Sequence, residues 1–112
     1  MKWAEFVKLA LELPEVTESS THGRPSLKVR GKYMASYNTE NKAFSLRIAN
    51  VEEQDFLCEM APEIYFITPH FKGYPAVLAR PNKLTKKEAR GRLLHAWRIQ
   101  APKTLVKKFD AE

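Results

Sequence analysis

Basic side chains alternate with apolar ones along two stretches of the chain, a pattern typical of a surface that contacts phosphate groups. Lys28 and Arg30 flank Val29, and Arg47 stands between apolar neighbours in the same way. Because successive side chains of a strand point to opposite faces, we expect these cations on a solvent-facing sheet surface. Such cations contact phosphate oxygens largely without base specificity, although an ordinary solvated face gives the same pattern. The predicted nucleic-acid-binding residues are Lys28, Arg30, Lys32, Lys42 and Arg47.

A second candidate site is the turn-rich segment from Pro69 to Pro75, which combines a histidine, a lysine and two aromatic rings around Gly73. A loop of this composition on a rigid scaffold can line a pocket, bind a phosphate or stack on a base. The structural alternative is that the rings cover the end of the sheet and Gly73 supplies an unusual backbone angle. The predicted pocket residues are His70, Lys72 and Tyr74.

Signals for catalysis or metal binding are weak. Cys58, the one cysteine, falls on the apolar face of a predicted helix, where a thiol is usually inert. His22, His70 and His95 lack the spacing of zinc ligands. The charges of the first helix alternate in sign, so this helix lacks the clustered carboxylates that hard cations prefer. We therefore predict no catalytic residue, metal or cofactor; an enzyme would need a titratable pair in a cleft, for example His22 with His70.

The elements that must position these residues form an α+β fold. Alternating and β-branched runs predict strands over residues 16–22, 26–30, 33–37 and 43–49. The short apolar runs 64–67 and 76–79 predict one or two more strands. Apolar periodicity and proline breaks predict helices over residues 2–13, 50–61, 86–100 and 103–109. We expect a single twisted antiparallel sheet with helices packed on one face and the other face open to solvent.

The helices also carry predictions about caps and buried faces. Asn50 and Glu53 have the spacing of a capping box at the start of the second helix. In that helix Phe56, Leu57 and Met60 are predicted to be buried. The longest helix carries the apolar stripe Ala89, Leu93, Ala96 and Trp97.

Bulk properties narrow the class of protein. The 112 residues suit one domain with one core, so residues 1–112 are taken as a single domain. The sequence has no apolar run of about 18 residues and no secretory-signal pattern at its start. A lone cysteine suits a reducing cytoplasm, and a monomer is favoured. The net charge of +6, from 19 basic and 13 acidic residues, favours a polyanionic partner but is equally consistent with solubility alone.

Four blocks of sequence, taken in order, resemble the MmcQ/YjbR family. They are Leu13–Glu18, Gly23–Val29 with Gly31–Lys32, Thr68–Tyr74, and Ala96–Arg98 with Ala101–Lys103. The resemblance covers nearly the whole chain. It implies a CyaY-like fold, also called double-wing, in which a sheet has helices on one side and hairpin wings, and it implies DNA binding without a transferable catalytic motif. Some members have a tryptophan close to the position of Ala76, so this chain departs from them there.

Two hypotheses follow. The first is a cytoplasmic DNA-binding protein that contacts the phosphate backbone through its basic sheet face and hairpin wings, with Tyr33 or Tyr37 able to stack on an unpaired base. The second is a non-catalytic module that binds a small molecule or a protein partner at the Pro69–Pro75 loop. The second predicts a concave site beside His70 and Tyr74, and basic residues that are dispersed or held in ion pairs.

Overall fold

A computed structural model describes all 112 residues, and its helices and strands follow the order expected from the hydrophobic pattern. The strands are β1 Val16–Thr21, β2 Arg24–Val29, β3 Lys32–Asn38, β4 Ala43–Arg47, β5 Tyr65–Phe66 and β6 Ala76–Ala79. The helices are α1 Trp3–Ala10, α2 Val51–Met60, α3 Lys86–Gln100 and α4 Lys103–Ala111. Short 3-10 turns lie at Pro69–Phe71 and Pro81–Lys83. The α+β class predicted from the sequence is confirmed.

The six strands form one antiparallel sheet in the order β1-β2-β3-β4-β6-β5. Hairpins join the first four strands in sequence, and β6 then pairs with β4 and carries the edge strand β5. The cross-strand row Leu27, Ala35, Leu46 and Val77 is buried and belongs to the core. A register shift between Leu27 and Lys28 brings Lys28 opposite Tyr33, so both side chains point away from that core row.

Three helices cover the core face of the sheet. Helix α3 packs against α1, β3 and β4, and α4 docks through Phe109, whose ring centroid lies 4.9 Å from that of Trp97. The fully buried Trp97 donates from Nε1 to the carbonyl oxygen of Pro14 at 2.9 Å. That bond ties the middle of the core to the turn before β1, because a buried indole N–H needs a partner.

The buried face predicted for α2 is wrong at two of its three residues. Phe56 is 59% exposed and Met60 is 65% exposed, whereas Leu57 is buried. Helix α2 packs at the edge of the sheet, against β5 and β6, rather than across its middle. Only a narrow stripe of the helix is therefore covered, and this stripe is centred on Leu57 and the buried Gln54.

The face opposite the core row differs from the open surface expected from the sequence. Ser26, Ser36 and Ser45 form a cross-strand row on this side, and all three are buried. The connection from β5 to β6 lies beside this row, since His70 and Phe71 line a groove together with Ser36 and Ser45. The predicted open face is therefore partly covered by the segment that contains the second candidate site.

Candidate functional site

The five predicted nucleic-acid-binding cations do not form a single cluster. Arg30 and Lys32 line one concavity. Lys42 lines a different one, together with Trp3 and Phe44. Lys42 lies in the β3–β4 turn, at the end of the sheet opposite the Arg30–Lys32 hairpin tip.

The other two cations are engaged by the backbone. Lys28 donates from Nζ to the carbonyl oxygen of Ser20 at 3.3 Å. The half-buried Arg47 donates from Nε to the carbonyl oxygen of Ile48 at 2.9 Å. Both residues lie on the sheet face opposite the core row, as their alternation with apolar residues indicated.

The concavity that holds Arg30 and Lys32 is called the basic cleft below. It has a volume of about 650 Å³ and lies between the tip of the β2–β3 hairpin and the junction of α3 with α4. No aspartate or glutamate lines it. Its cations are Arg30, Lys32, Arg98, Lys103 and Lys107.

Local sequence explains why these cations converge. Arg30 and Gly31 have φ angles of 48° and 78°, the left-handed pair that makes a tight two-residue hairpin turn. Pro102 ends α3 and begins α4, and Lys103 and Lys107 then fall one helical turn apart on the same face. Gln100 donates to the carbonyl oxygen of Tyr33 at 2.8 Å, which fixes the end of α3 beside β3.

Two of the five cations are paired with carboxylates. Arg30 Nε lies 2.6 Å from Glu15 Oε1, and Arg98 lies 2.7 Å from Asp110 Oδ1. The hydrogen bonds from these arginines lower the pKa of Glu15 and the pKa of Asp110, so both carboxylates are ionised at neutral pH. The three lysines form no ion pair. The cleft therefore keeps an excess of three positive charges over these carboxylates.

A second concavity, called the sheet groove below, lies on the sheet face opposite the core row and has a volume of about 370 Å³. The β1–β2 hairpin contributes His22 from its turn and Arg24 from the start of β2, and the β5–β6 connection contributes His70 and Tyr74. Of the three predicted pocket residues, His70 and Tyr74 line this groove, whereas Lys72 does not. The groove also brings His22 and His70 to the same cavity, although 48 positions separate them in the chain.

The floor of the groove is a cluster of hydroxyl groups. The Tyr33 hydroxyl lies 2.7 Å from Ser45 Oγ and 3.1 Å from Ser36 Oγ. Burial raises the pKa of Tyr33, although the serine hydrogen bonds oppose this shift, so the phenol stays neutral. Of the two tyrosines considered for base stacking, Tyr33 shares this face, but its hydroxyl is committed to the floor. Tyr37 packs near Trp3 and Phe44 instead.

Gln54 holds the loop in place, and its role was not predicted from the sequence. Its Nε2 lies 2.9 Å, 3.0 Å and 2.8 Å from the carbonyl oxygens of Phe71, Tyr74 and Ala76. The side chain is 1% exposed. The one signal available in the sequence was its position three residues before Leu57, on the same face of a short helix.

The Cys58 thiol and the potential metal ligands are the remaining reactive groups. Burial, followed by the charge of Asp55, raises the pKa of Cys58, which favours the unreactive thiol. No group of three or more histidine, cysteine, aspartate or glutamate side chains is arranged to hold a metal ion. Among the helices, none has the length and apolar character needed to cross a membrane.

Comparison with known proteins identifies relatives but no solved structure. Uncharacterized protein Mb2600 of Mycobacterium bovis and uncharacterized protein Rv2570 of Mycobacterium tuberculosis are each 48% identical to this chain over 50 residues. The match covers 45% of this chain and 39% of the length of each relative. No solved structure matches the chain. The YjbR family model matches residues 11–99, most of the chain and all of the sheet, so the chain belongs to the YjbR family.

Proposed function

We propose that the chain binds DNA by contacting its phosphate backbone in the basic cleft. The observation that carries this proposal is the lining of the largest concavity, where five lysine and arginine side chains converge and no carboxylate lines the wall. Converging cations neutralise phosphates and release their counterions, which supplies sequence-independent affinity. Gln100 also lines the cleft and adds a hydrogen-bonding group. The lining does not offer a set of donors and acceptors that would distinguish one base pair from another.

The distribution of charge along the chain supports the same surface. Five of the 13 acidic residues fall between positions 52 and 63, in and just after α2. The rest of the chain therefore carries 19 basic residues against eight acidic ones. This asymmetry strengthens the positive field around the rest of the molecule, including the cleft, and steers polyanions toward it.

The ion-paired arginines can contact DNA phosphates without a large loss of stabilising free energy. Arg30 and Glu15 are both about half exposed, at 52% and 45% of their side-chain areas, and exposed ion pairs contribute little net stability. A phosphate can accept a hydrogen bond from a guanidinium that still contacts its carboxylate, because arginine has five donors. In this proposal the β2–β3 hairpin tip acts as a wing that lies along the backbone.

Charge reversal tests this function. The double variant Lys32→Glu/Lys107→Glu removes two free cations from opposite walls of the cleft and is expected to weaken duplex DNA binding at least tenfold at about 50 mM salt. The matched control is Lys8→Glu/Lys87→Glu, which makes the same change in net charge at exposed lysines outside the cleft. Fluorescence anisotropy with a labelled duplex measures both. Equal losses in the two variants would assign the binding to net charge rather than to the cleft.

The sheet groove favours a second function, the binding of a small molecule or a partner group by a non-catalytic module. Two observations favour it. His70 and Tyr74, on the loop predicted to form a pocket, line a cavity of about 370 Å³. The five cations predicted to bind nucleic acid are also dispersed, and Arg30 is ion-paired, as this hypothesis expects. Cavities of about 300–1,000 Å³ with a few convergent polar groups are typical of ligand sites. Chemical-shift perturbation of His70 and Tyr74 during titration with small ligands tests it.

A further inference from the structure

We propose that the sheet groove binds a small planar anion, an aromatic or heteroaromatic ring that carries one acidic group. This inference rests on the second function above, because it names the ligand class of that same cavity. It follows from three features of the groove: the charge of its wall, the arrangement of its rings and the fixation of its loop.

The wall of the groove presents hydrogen-bond donors and no carboxylate. Arg24, His22 and His70 line it, together with serine and threonine hydroxyls. Arg24 is ion-paired with Glu40, but the glutamate side chain is 69% exposed, and an exposed pair of this kind is weak. A ligand carboxylate can therefore share the guanidinium, whose paired N–H donors match the planar acidic group.

The rings on the loop side provide a surface for a planar ligand. The rings of His70 and Tyr74 are stacked, with centroids 6.5 Å apart and planes 23° apart. Phe71 meets His70 edge-on at 5.8 Å. Tyr74 is nevertheless 62% exposed, so much of its ring remains available to a ligand. Aromatic rings gain from offset or edge-to-face packing in addition to the area that they bury.

The loop that carries these rings is held in place before any ligand arrives. Gln54 Nε2 lies within 3.0 Å of the carbonyl oxygens of Phe71, Tyr74 and Ala76. The Tyr33 hydroxyl is likewise fixed by two serine hydroxyls in the floor. A preformed site loses less conformational entropy on binding, which suits a ligand of only one ring.

The ligand class is tested by titrating the full chain with three probes and recording two-dimensional amide NMR spectra at each step. Benzoate carries both the ring and the charge, benzamide only the ring, and acetate only the charge. We expect benzoate to shift the signals of His22, His70 and Tyr74 with a Kd of about 1 mM. Benzamide and acetate should bind at least tenfold more weakly, since each lacks one of the two sets of contacts.

Two substitutions in the groove, each with a matched control, locate the binding. Arg24→Gln and Tyr74→Ala should each weaken benzoate binding about tenfold. Their controls are Arg90→Gln, another arginine paired with a surface glutamate, and Phe56→Ala, another exposed aromatic residue; both should leave the Kd unchanged. Equal binding of benzamide or acetate would overturn the planar-anion class but leave a small-molecule site. If neither benzoate at about 10 mM nor the other two probes shifts the signals of the groove, both the planar-anion class and the small-molecule site are overturned.

Discussion

The side-chain amide of Gln54 donates a hydrogen bond to the carbonyl oxygen of Phe71 at 2.9 Å, across 17 positions of the chain. The same nitrogen lies within 3.0 Å of the carbonyl oxygens of Tyr74 and Ala76. One residue of the edge helix thus satisfies the backbone of the loop that covers part of the sheet. The carbonyl oxygens of Phe71 and Tyr74 also accept hydrogen bonds from the Tyr74 and Ala76 N–H groups within the loop. The Gln54 amide therefore adds the contacts that tie this loop to α2.

We expect Gln54→Ala to lower the free energy of unfolding by about 2–3 kcal/mol, because it removes a buried side chain together with its hydrogen bonds to the loop. Urea denaturation measures the loss. The matched control is Gln100→Ala, which removes one hydrogen bond, to Tyr33, at a partly exposed position. A cost for Gln54→Ala no larger than that of the control would contradict the anchoring role.

Ionisation of Glu53 makes the free energy of unfolding depend on pH in the acid range. Burial acts to raise the pKa of Glu53, but the Ala49 N–H at 2.7 Å and His95 Nε2 at 2.9 Å, together with Arg92, outweigh it, so the pKa lies below its ordinary value. A depressed folded-state pKa contributes stability above the unfolded-state pKa of about 4.3 and loses it as pH falls through the folded value.

We therefore expect Glu53→Gln to be less stable than the unmodified chain at pH 7, with the difference shrinking as the pH falls toward about 3. Urea unfolding at several pH values measures both curves. Glu52→Gln changes an exposed neighbouring carboxylate and should follow the unmodified chain. A constant gap between Glu53→Gln and the unmodified chain across this range would rule out the linkage.

Because only a narrow stripe of α2 is buried, we expect substitutions at the adjacent residues Phe56 and Leu57 to change the free energy of unfolding by very different amounts. Leu57→Ala should cost about 2–4 kcal/mol of unfolding free energy, because it leaves a cavity against the core. Phe56→Ala should stay within about 0.5 kcal/mol, since its ring is mostly solvated. Thermal and urea unfolding of the two variants compare them directly. Similar costs at both positions would mean that Phe56 is covered after all.

Elements with strong local signals were predictable from the sequence. Helix α3 runs from Lys86 to Gln100, as its apolar periodicity and the break at Pro102 indicated. Arg30 and Gly31 form the tight turn between the strands predicted over residues 26–30 and 33–37. In both cases the determining interactions lie within a few residues of one another, so the sequence carries them directly.

The sites were less predictable because their contacts are distant in sequence. Arg30 and Lys32 meet Lys103 and Lys107 only after α3 and α4 pack beside the hairpin. His22 and His70 share a cavity because two separate connections meet over the same sheet face. Alternation along a strand assigns a residue to a face, but it does not indicate whether a loop covers that face, as one does here beside Ser45.

The most direct test of the proposed DNA-binding function is the salt dependence of affinity for a labelled duplex. Three free lysines and two ion-paired arginines line the cleft, so neutralisation of about three to five phosphates is expected. Affinity should then fall about 40- to 500-fold between about 50 mM and 200 mM salt. Measurable binding at low salt with this slope is the predicted result. No binding at about 50 mM salt, or affinity that does not change with salt, would contradict the proposal.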